Sequence, residues 1–128
     1  MPNSPISVEL QQFIDRYIHS VEQLEILCLL VDESAKTWSE IEVFHRIQSS
    51  QESVSRTLRR FRDDRFLVFD LTKGYRFSPE SSDLARLASE LAKAYRERRV
   101  AVIGAIYKPT VDSIRDFADA FRIRKDKS

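Results

Sequence analysis

Residues 50–77 read SQESVSRTLRRFRDDRFLVFDLTKGYRF, and the spacing of the apolar residues changes once within this stretch. In the first half, three apolar residues are spaced as on one face of a helix: Val54, Leu58 and Phe61. In the second half, apolar residues alternate with other types, and Thr72-Lys73-Gly74 separates two such runs. The first pattern predicts a helix over residues 51–65 capped by Ser50, and the second predicts a strand, a tight turn and a strand over residues 67–77.

Two capping-box patterns predict helices before this stretch. Ser39 followed by Glu42 opens a short helix, with Trp38 as a hydrophobic staple before the cap, and this helix has four apolar positions: Ile41, Val43, Phe44 and Ile47. Residues 48–50 then form a turn. Ser20 followed by Gln23 opens a helix whose run over 24–31 is apolar on more than one side, which predicts a central buried helix.

Helical periodicity also covers both ends of the chain. Residues 7–18 are predicted to form an amphipathic helix. Ser82 is expected to cap one long helix that continues to residue 107. After Pro109, Thr110 is expected to begin a last amphipathic helix. The predicted fold class is mainly α with a small β-hairpin, a winged helix-turn-helix flanked by N- and C-terminal helices. We expect four parts: an N-terminal helix (1–19), the winged helix-turn-helix domain (20–80), C-terminal helices that form a dimer (81–123) and a disordered tail (124–128).

The segment 20–80 resembles small bacterial winged-helix transcriptional regulators of the MarR and ArsR kind. The resemblance depends on Trp38–Val43, Ser50–Arg60 and the predicted wing Leu67–Phe77. It departs from those families in a turn without glycine, Gln48-Ser49-Ser50, and in a short wing with one lysine and one arginine. The resemblance implies a dimeric transcriptional regulator that binds double-stranded DNA.

The distribution of charge agrees with a local DNA-binding surface. Residues 1–45 carry a net charge of −6, whereas residues 46–76 carry eight basic and four acidic side chains, a net charge of +4. On the helix over 51–65, Arg56 and Arg59 point away from the apolar stripe, and guanidinium groups can take guanine O6 and N7 together in the major groove. The other expected DNA contacts are Ser50, Gln51 and Ser53 at the helix N-terminus, Ser55 at the edge of the face, Arg60 and Arg62 toward phosphates, and Lys73 and Arg76 in the wing.

Two alternatives stand beside this interpretation. An arginine-rich helix face is often only a solvated surface. Glu52 and Asp63 lie on the same face, where a carboxylate repels phosphate. Each can instead pair with an arginine one turn away, or Glu52 can accept a hydrogen bond from a cytosine amino group. Some winged helices bind proteins instead of DNA. The second hypothesis is therefore a protein-protein interaction module that does not bind DNA specifically and docks its partner through the C-terminal helices or the arginine face.

Composition argues against several other classes. The chain of 128 residues has one cysteine, Cys28, in an apolar run where an inert core thiol is expected. With two histidines and no cysteine cluster, we expect no metal site; with no phosphate loop or nucleophile set, we expect no enzyme and no cofactor. Residues 1–5 do not resemble a signal peptide, and the longest apolar run, eight residues, is too short to span a membrane, so a cytoplasmic protein is expected.

The end of the long predicted helix is apolar on nearly every side, which suggests burial beyond one surface. Packing onto the chain's own domain is one explanation, and a symmetric homodimer that presents two recognition helices about one DNA turn apart is the favoured one. The expected dimer interface consists of Phe13, Tyr17, Tyr95, Val102, Ile106, Ile114, Phe117 and Phe121.

Overall fold

The computed structural model describes residues 6–107, and this part of the chain is mainly helical with one small antiparallel hairpin. In chain order its elements are α1 (Val8–Tyr17), α2 (Val21–Asp32), α3 (Glu40–Arg46), α4 (Gln51–Asp63), β1 (Leu67–Asp70), β2 (Gly74–Phe77), α5 (Ser82–Glu97) and α6 (Arg99–Ile106). The helix expected from Thr110 and the tail expected at 124–128 lie outside the described residues. The order expected over residues 20–80, three helices followed by a hairpin, is confirmed.

Within residues 6–107, serine side chains cap the N-termini of five of the six helices. Each accepts a hydrogen bond from a backbone N–H three residues ahead, and the five are Ser7, Ser20, Ser39, Ser50 and Ser81. The capping box at Ser39 is complete, because Glu42 Oε1 accepts from Ser39 N at 2.9 Å. The prediction of Ser82 as a cap was wrong by one residue, since Ser81 Oγ takes the bond from Leu84 N and Ser82 is the first helical residue.

The core is built around α2, as its apolar run predicts. Leu24, Ile26, Leu27 and Leu30 are fully buried, because α2 packs against α5 on one side and against α4 and β2 on another. Complete burial of such a side chain stabilises the fold by about 1.5–3 kcal/mol. The helices around α2 are therefore held by apolar contacts, which leaves their polar faces free to carry a site.

The hairpin is fixed to the segment that precedes α3. β1 and β2 pair with Leu67 opposite Phe77 and Asp70 opposite Gly74. On the other edge of β2, Trp38 and Tyr75 form an isolated antiparallel bridge, and Trp38 is 1% exposed. This long-range pairing was not predicted from the sequence, which indicated only a staple for Trp38. The Trp38–Tyr75 bridge joins the segment before α3 to the hairpin, which follows α4 in the sequence.

Helix α4 ends at Asp63, two residues before the predicted end. Arg65 has a positive φ of 72°, Arg65 N donates to Arg62 O at 3.0 Å, and Phe66 N donates to Phe61 O at 3.0 Å. This is the left-handed C-terminal arrangement that most often uses glycine. An arginine at that position gave no local signal for the end of the helix.

The single helix expected over 84–107 was wrong, because the chain turns between α5 and α6 at Arg98. A continuous helix would place Arg98 on the buried stripe that runs through Leu91 and Val102. The break leaves Arg98 exposed and lets α6 bury Val102 and Ala105. Gln11 of α1 donates to Ala105 O at 2.8 Å, which secures α6 in this direction.

Candidate nucleic-acid interface

One face of α4 is buried and the opposite face is exposed, as predicted. Val54, Leu58 and Phe61 are completely buried, and Thr57 joins them at 4% exposure. The exposed residues of α4 are Gln51, Glu52, Arg56, Arg59, Arg62 and Asp63. The short connection 47–50 joins α3 to α4, and Ser50 caps α4. The position of the exposed face is therefore set by the buried side chains on the opposite face of α4 and by the cap at its N-terminus.

The first turns of α4 are held by carboxylates from other helices. Ser53 Oγ donates to Glu22 Oε1 at 2.6 Å, and Ser49 Oγ donates to the other oxygen of Glu22, on α2. Ser55 Oγ donates to Glu40 Oε2, on α3, at 2.9 Å. The hydroxyl protons of Ser53 and Ser55 are therefore used inside the protein, and both residues position α4.

Sequence reasoning missed Glu22 and Glu40. Glu22 lies 27 and 31 residues from its two serine partners, and each glutamate looks from the sequence like an ordinary acidic residue in a first helical turn. No local pattern contains such pairings. The signal that existed was the density of serines at 49–55, which exceeds what one cap needs.

The exposed arginines differ in how firmly they are held. Arg56 Nη1 lies 4.0 Å from Glu52 Oε1, a loose contact between two well-exposed side chains, and Arg60 Nε lies 3.7 Å from Asp64 Oδ2. Within residues 6–107, Arg59 has no carboxylate within 4.0 Å. An exposed ion pair such as Arg56–Glu52 contributes about 0–1 kcal/mol, so the Arg56 guanidinium can exchange Glu52 for a phosphate or a base.

The hairpin continues this surface at the C-terminal half of α4. Arg62 lies over the ring of Phe69, 4.9 Å from its centroid, and the rings of Phe69 and Tyr75 are 4.8 Å apart. Burial, followed by the nearby Glu40 carboxylate, raises the pKa of Tyr75, and the charges of Arg62 and Arg59 act against that shift. An open groove of about 640 Å³ lies where α4 meets the hairpin, and Arg62, Val68 and Phe69 are among its lining residues.

The two cations expected in a wing occupy different places on the hairpin. Lys73 lies in the turn and is exposed. Arg76 is also exposed, but it pairs across the strands with Val68, whereas its neighbours Tyr75 and Phe77 point inward. Because side chains alternate along a strand, Arg76 lies on the face of the hairpin opposite to Phe69. The structure thus brings together Arg56, Arg59 and Arg62 on α4 and sets Arg76 apart from them.

A second depression lies beside α4 on the side of α2. It has a volume of about 370 Å³ and is lined by Ser20, Gln23, Ser53, Thr57, Glu22, Arg56 and Arg60. Arg60 therefore flanks the exposed stripe toward the N-terminus of α2, where the sequence predicted a contact with backbone phosphate. The Glu22 carboxylate on the same depression is engaged by Ser49 and Ser53.

The expected dimer residues do not share one environment. Phe13 (4% exposed) and Val102 (0%) are buried in the core of their own chain, which agrees with the alternative of packing onto the same domain. Tyr17, Tyr95 and Ile106 are half-buried against that core. Ile114, Phe117 and Phe121 lie outside the described residues.

Cys28 is buried, as expected for a core thiol, and burial with the neighbouring Asp32 raises its pKa to about 12. Between residues 6 and 107, no group of three or more His, Cys, Asp or Glu side chains is arranged to hold a metal ion, and no helix combines the length and apolar character needed to cross a membrane.

Comparison with known proteins gives no match of significance, whether with family models, with curated proteins or with solved structures.

Proposed function

We propose that this chain is a winged helix-turn-helix DNA-binding protein that regulates transcription, with α4 as its recognition helix in the major groove and the hairpin as its wing. The observation that carries the proposal is the exposed arginine face of α4, Arg56, Arg59 and Arg62, directly after a short connection from α3 and beside the hairpin. Residues 46–76 supply the positive charge that a polyanion requires.

The proposed contacts have separate roles. Arg56 and Arg59 read base edges, because they lie at the centre of the exposed face and are at most loosely paired. Arg60, Arg62, Lys73, Arg76 and the exposed Ser50 and Gln51 at the start of α4 contact backbone phosphates. Ser53 and Ser55 act indirectly, by fixing α4 through Glu22 and Glu40.

Glu52 and Asp63 are the acidic residues of this face. The Glu52 side chain is 86% exposed, and its ion pair to Arg56 has a long 4.0 Å separation. A carboxylate in that position can accept from the amino group of cytosine, while it repels phosphate. We therefore place Glu52 above the base edges and Asp63 at the outer end of the face.

The test is selection of duplexes by the full chain from a random DNA pool, followed by affinity measurements on a selected duplex. The double variant Arg56→Ala/Arg59→Ala should bind at least about thirtyfold more weakly, since each specific arginine contact is worth about 1–3 kcal/mol. Arg60→Ala should weaken selected and unselected duplexes alike and lower the salt dependence by about one phosphate contact.

The matched control is Arg86→Ala/Arg96→Ala, which removes the same charge from exposed positions of α5, away from α4. It should keep the affinity of the unchanged protein, and circular dichroism should show that all variants fold. Equal affinity for the Arg56→Ala/Arg59→Ala variant, or a failure of the unchanged chain to select any duplex, contradicts the proposal.

The exposed apolar residues of α6 support a second copy of the chain as a partner. Val100 is 84% exposed and Tyr107 67% exposed, whereas Val102 and Ala105 of the same helix are buried. A helix that is apolar on both sides is stable in water when both sides are covered. We therefore include a symmetric homodimer in the proposal. The same apolar face is what favours the second candidate, a protein-interaction module without specific DNA binding.

A further inference from the structure

Leu71, at the tip of the hairpin, has the most exposed large apolar side chain among residues 6–107, with 89% of its surface accessible. Val68 and Phe69, on the strand leading to it, are also exposed, at 43% and 36%. These residues contribute little to the core, which Leu67 and Phe77 close at the base of the hairpin. Val68 and Phe69 lie on opposite faces of β1, so each face of the hairpin carries exposed apolar surface, and Leu71 at the tip is the most exposed of the three.

The turn that carries Leu71 is held in one shape. Asp70 Oδ1 accepts from Thr72 N at 2.8 Å, from Thr72 Oγ1 at 2.7 Å and from Lys73 N at 3.1 Å. These hydrogen bonds lower the pKa of Asp70, first the bond from the Thr72 hydroxyl and then those from the backbone, so the carboxylate stays charged and directed into the turn. Leu71 is thus presented outward by a preorganised loop.

Positive charge lies on both sides of this tip. Arg62 is on the α4 side, stacked on Phe69; Arg76 is on the opposite face of the hairpin; and Lys73 is in the turn itself. An apolar tip between two cationic flanks is complementary to a groove that has an apolar floor of bases and a phosphate backbone on each side. A mainly apolar protein cleft would leave these cations without partners, so duplex DNA is the occupant that the charges favour.

We propose that Leu71 is a wedge that enters the minor groove next to the major groove occupied by α4, partly unstacks one base step and bends the duplex. This inference rests on the proposed DNA-binding function and names the mode of contact of its wing. The minor groove of B-form DNA is about 6 Å wide and about 7.5 Å deep, whereas two paired strands are already about 4.8 Å apart before side chains are counted. Only the side chain at the turn can reach the floor of an unwidened groove, and insertion of an apolar side chain kinks DNA toward the major groove.

The test measures binding and bending together. A duplex of roughly 30 base pairs, selected from a random pool by the unchanged full chain, carries a fluorescent dye at each end, so that energy transfer reports the bend. The unchanged protein should raise the transfer efficiency on binding. Leu71→Ala should abolish that rise and bind about tenfold more weakly, because the apolar contact is lost while the cost of unstacking is also removed.

Two further variants separate a wedge from a general effect. Leu71→Met keeps an apolar wedge and should retain the bend. Val8→Ala removes an apolar side chain that is 73% exposed at the start of α1, away from the hairpin, and should change neither bend nor affinity.

The failure of the wedge and the failure of DNA binding give different results. If Leu71→Ala bends and binds the duplex like the unchanged protein while Arg56→Ala/Arg59→Ala does not bind, the wedge is wrong and the proposed function remains. If the unchanged protein selects no duplex, both are wrong. If Leu71→Ala keeps DNA bending but loses association with another protein or with its own copies, the tip is a protein contact and the wedge is overturned.

Discussion

Trp38 and Tyr75 exchange two backbone hydrogen bonds, 2.6 Å from Trp38 N to Tyr75 O and 2.7 Å from Tyr75 N to Trp38 O. The first residue belongs to the segment before α3 and the second to β2. The bridge therefore sets the position of the hairpin relative to α3 by backbone contacts. Since α4 follows α3 after a short connection, the same bridge fixes the hairpin beside the proposed recognition helix.

The close approach of the two segments at this bridge leaves no space for a side chain at Gly74. Gly74 has φ +113°, and a Cβ there would lie 2.7 Å from the Trp38 carbonyl carbon and 2.9 Å from Ser39 Cα. Gly74→Ala should lower the free energy of unfolding by more than about 2 kcal/mol, because backbone atoms must move and the conformation is strained. Urea unfolding at neutral pH measures the loss.

Gly104→Ala is the matched control for that substitution. Gly104 lies inside α6, and a Cβ there meets nothing within 4 Å in the described structure. Alanine should raise the free energy of unfolding by about 0.5–1 kcal/mol through its greater helix propensity. Equal stability for the two alanine variants would contradict the contact at the bridge.

The parts of the fold that the sequence predicted well are those set by local contacts. The stripe Val54, Leu58 and Phe61 with the Ser50 cap predicted α4, because one helix face and its first turn are determined by residues within four positions of each other. The hairpin was predicted within one residue, because its alternating apolar residues and its turn lie within one short stretch of sequence. The exposed arginines of α4 followed directly, since a buried stripe determines the opposite face.

The remainder depends on contacts between distant residues. The partners of Ser53 and Ser55 are on α2 and α3, and the partner of Trp38 is 37 positions away in β2. The periodic spacing of residue types along the chain gives no information about which distant residues pair. The break at Arg98 arises from competition between a continuous helix and burial of Val102 against the rest of the chain, and the sequence pattern alone favours the continuous helix.

The thiol of Cys28 should produce a measurable pH dependence of stability. Its pKa is raised to about 12, first by burial and then by Asp32. Because the pKa in the folded state is the higher one, the unfolded chain loses its proton first. This stabilising contribution is complete below the unfolded pKa, near pH 8.5, and decreases by about 1.4 kcal/mol per pH unit as the pH rises toward 12.

Comparison with Cys28→Ala isolates this contribution from tyrosine and lysine titration. The variant is expected to be less stable at pH 8 because a buried side chain is shortened, but its stability should decrease less steeply with pH. By pH 10 the difference between the two proteins should have narrowed by about 2 kcal/mol. Urea unfolding at intervals from pH 8 to pH 10 tests this, and parallel curves would mean that the thiol ionises equally well in both states.

The exposed stripe of α6 gives the sharpest test of the proposed homodimer. Val100 and Tyr107 are exposed and lie two helical turns apart on its outer side, while Ile103 between them is partly buried against the core. A two-fold axis through this stripe would bring Val100 of each copy into the interface, so Val100→Asp introduces two carboxylates there.

The substitution should separate the copies without unfolding the chain. Val100 is the second residue of α6, where an acidic side chain interacts favourably with the helix N-terminus. Light scattering should give twice the 15.0 kDa chain mass for the unchanged protein and the single mass for Val100→Asp. Val8→Asp, at the first turn of α1, adds the same charge at an exposed valine and should leave the mass doubled. A single mass for the unchanged protein refutes the dimer, and a doubled mass for Val100→Asp refutes this interface, because an unpaired carboxylate buried at a two-fold axis is too costly to be retained.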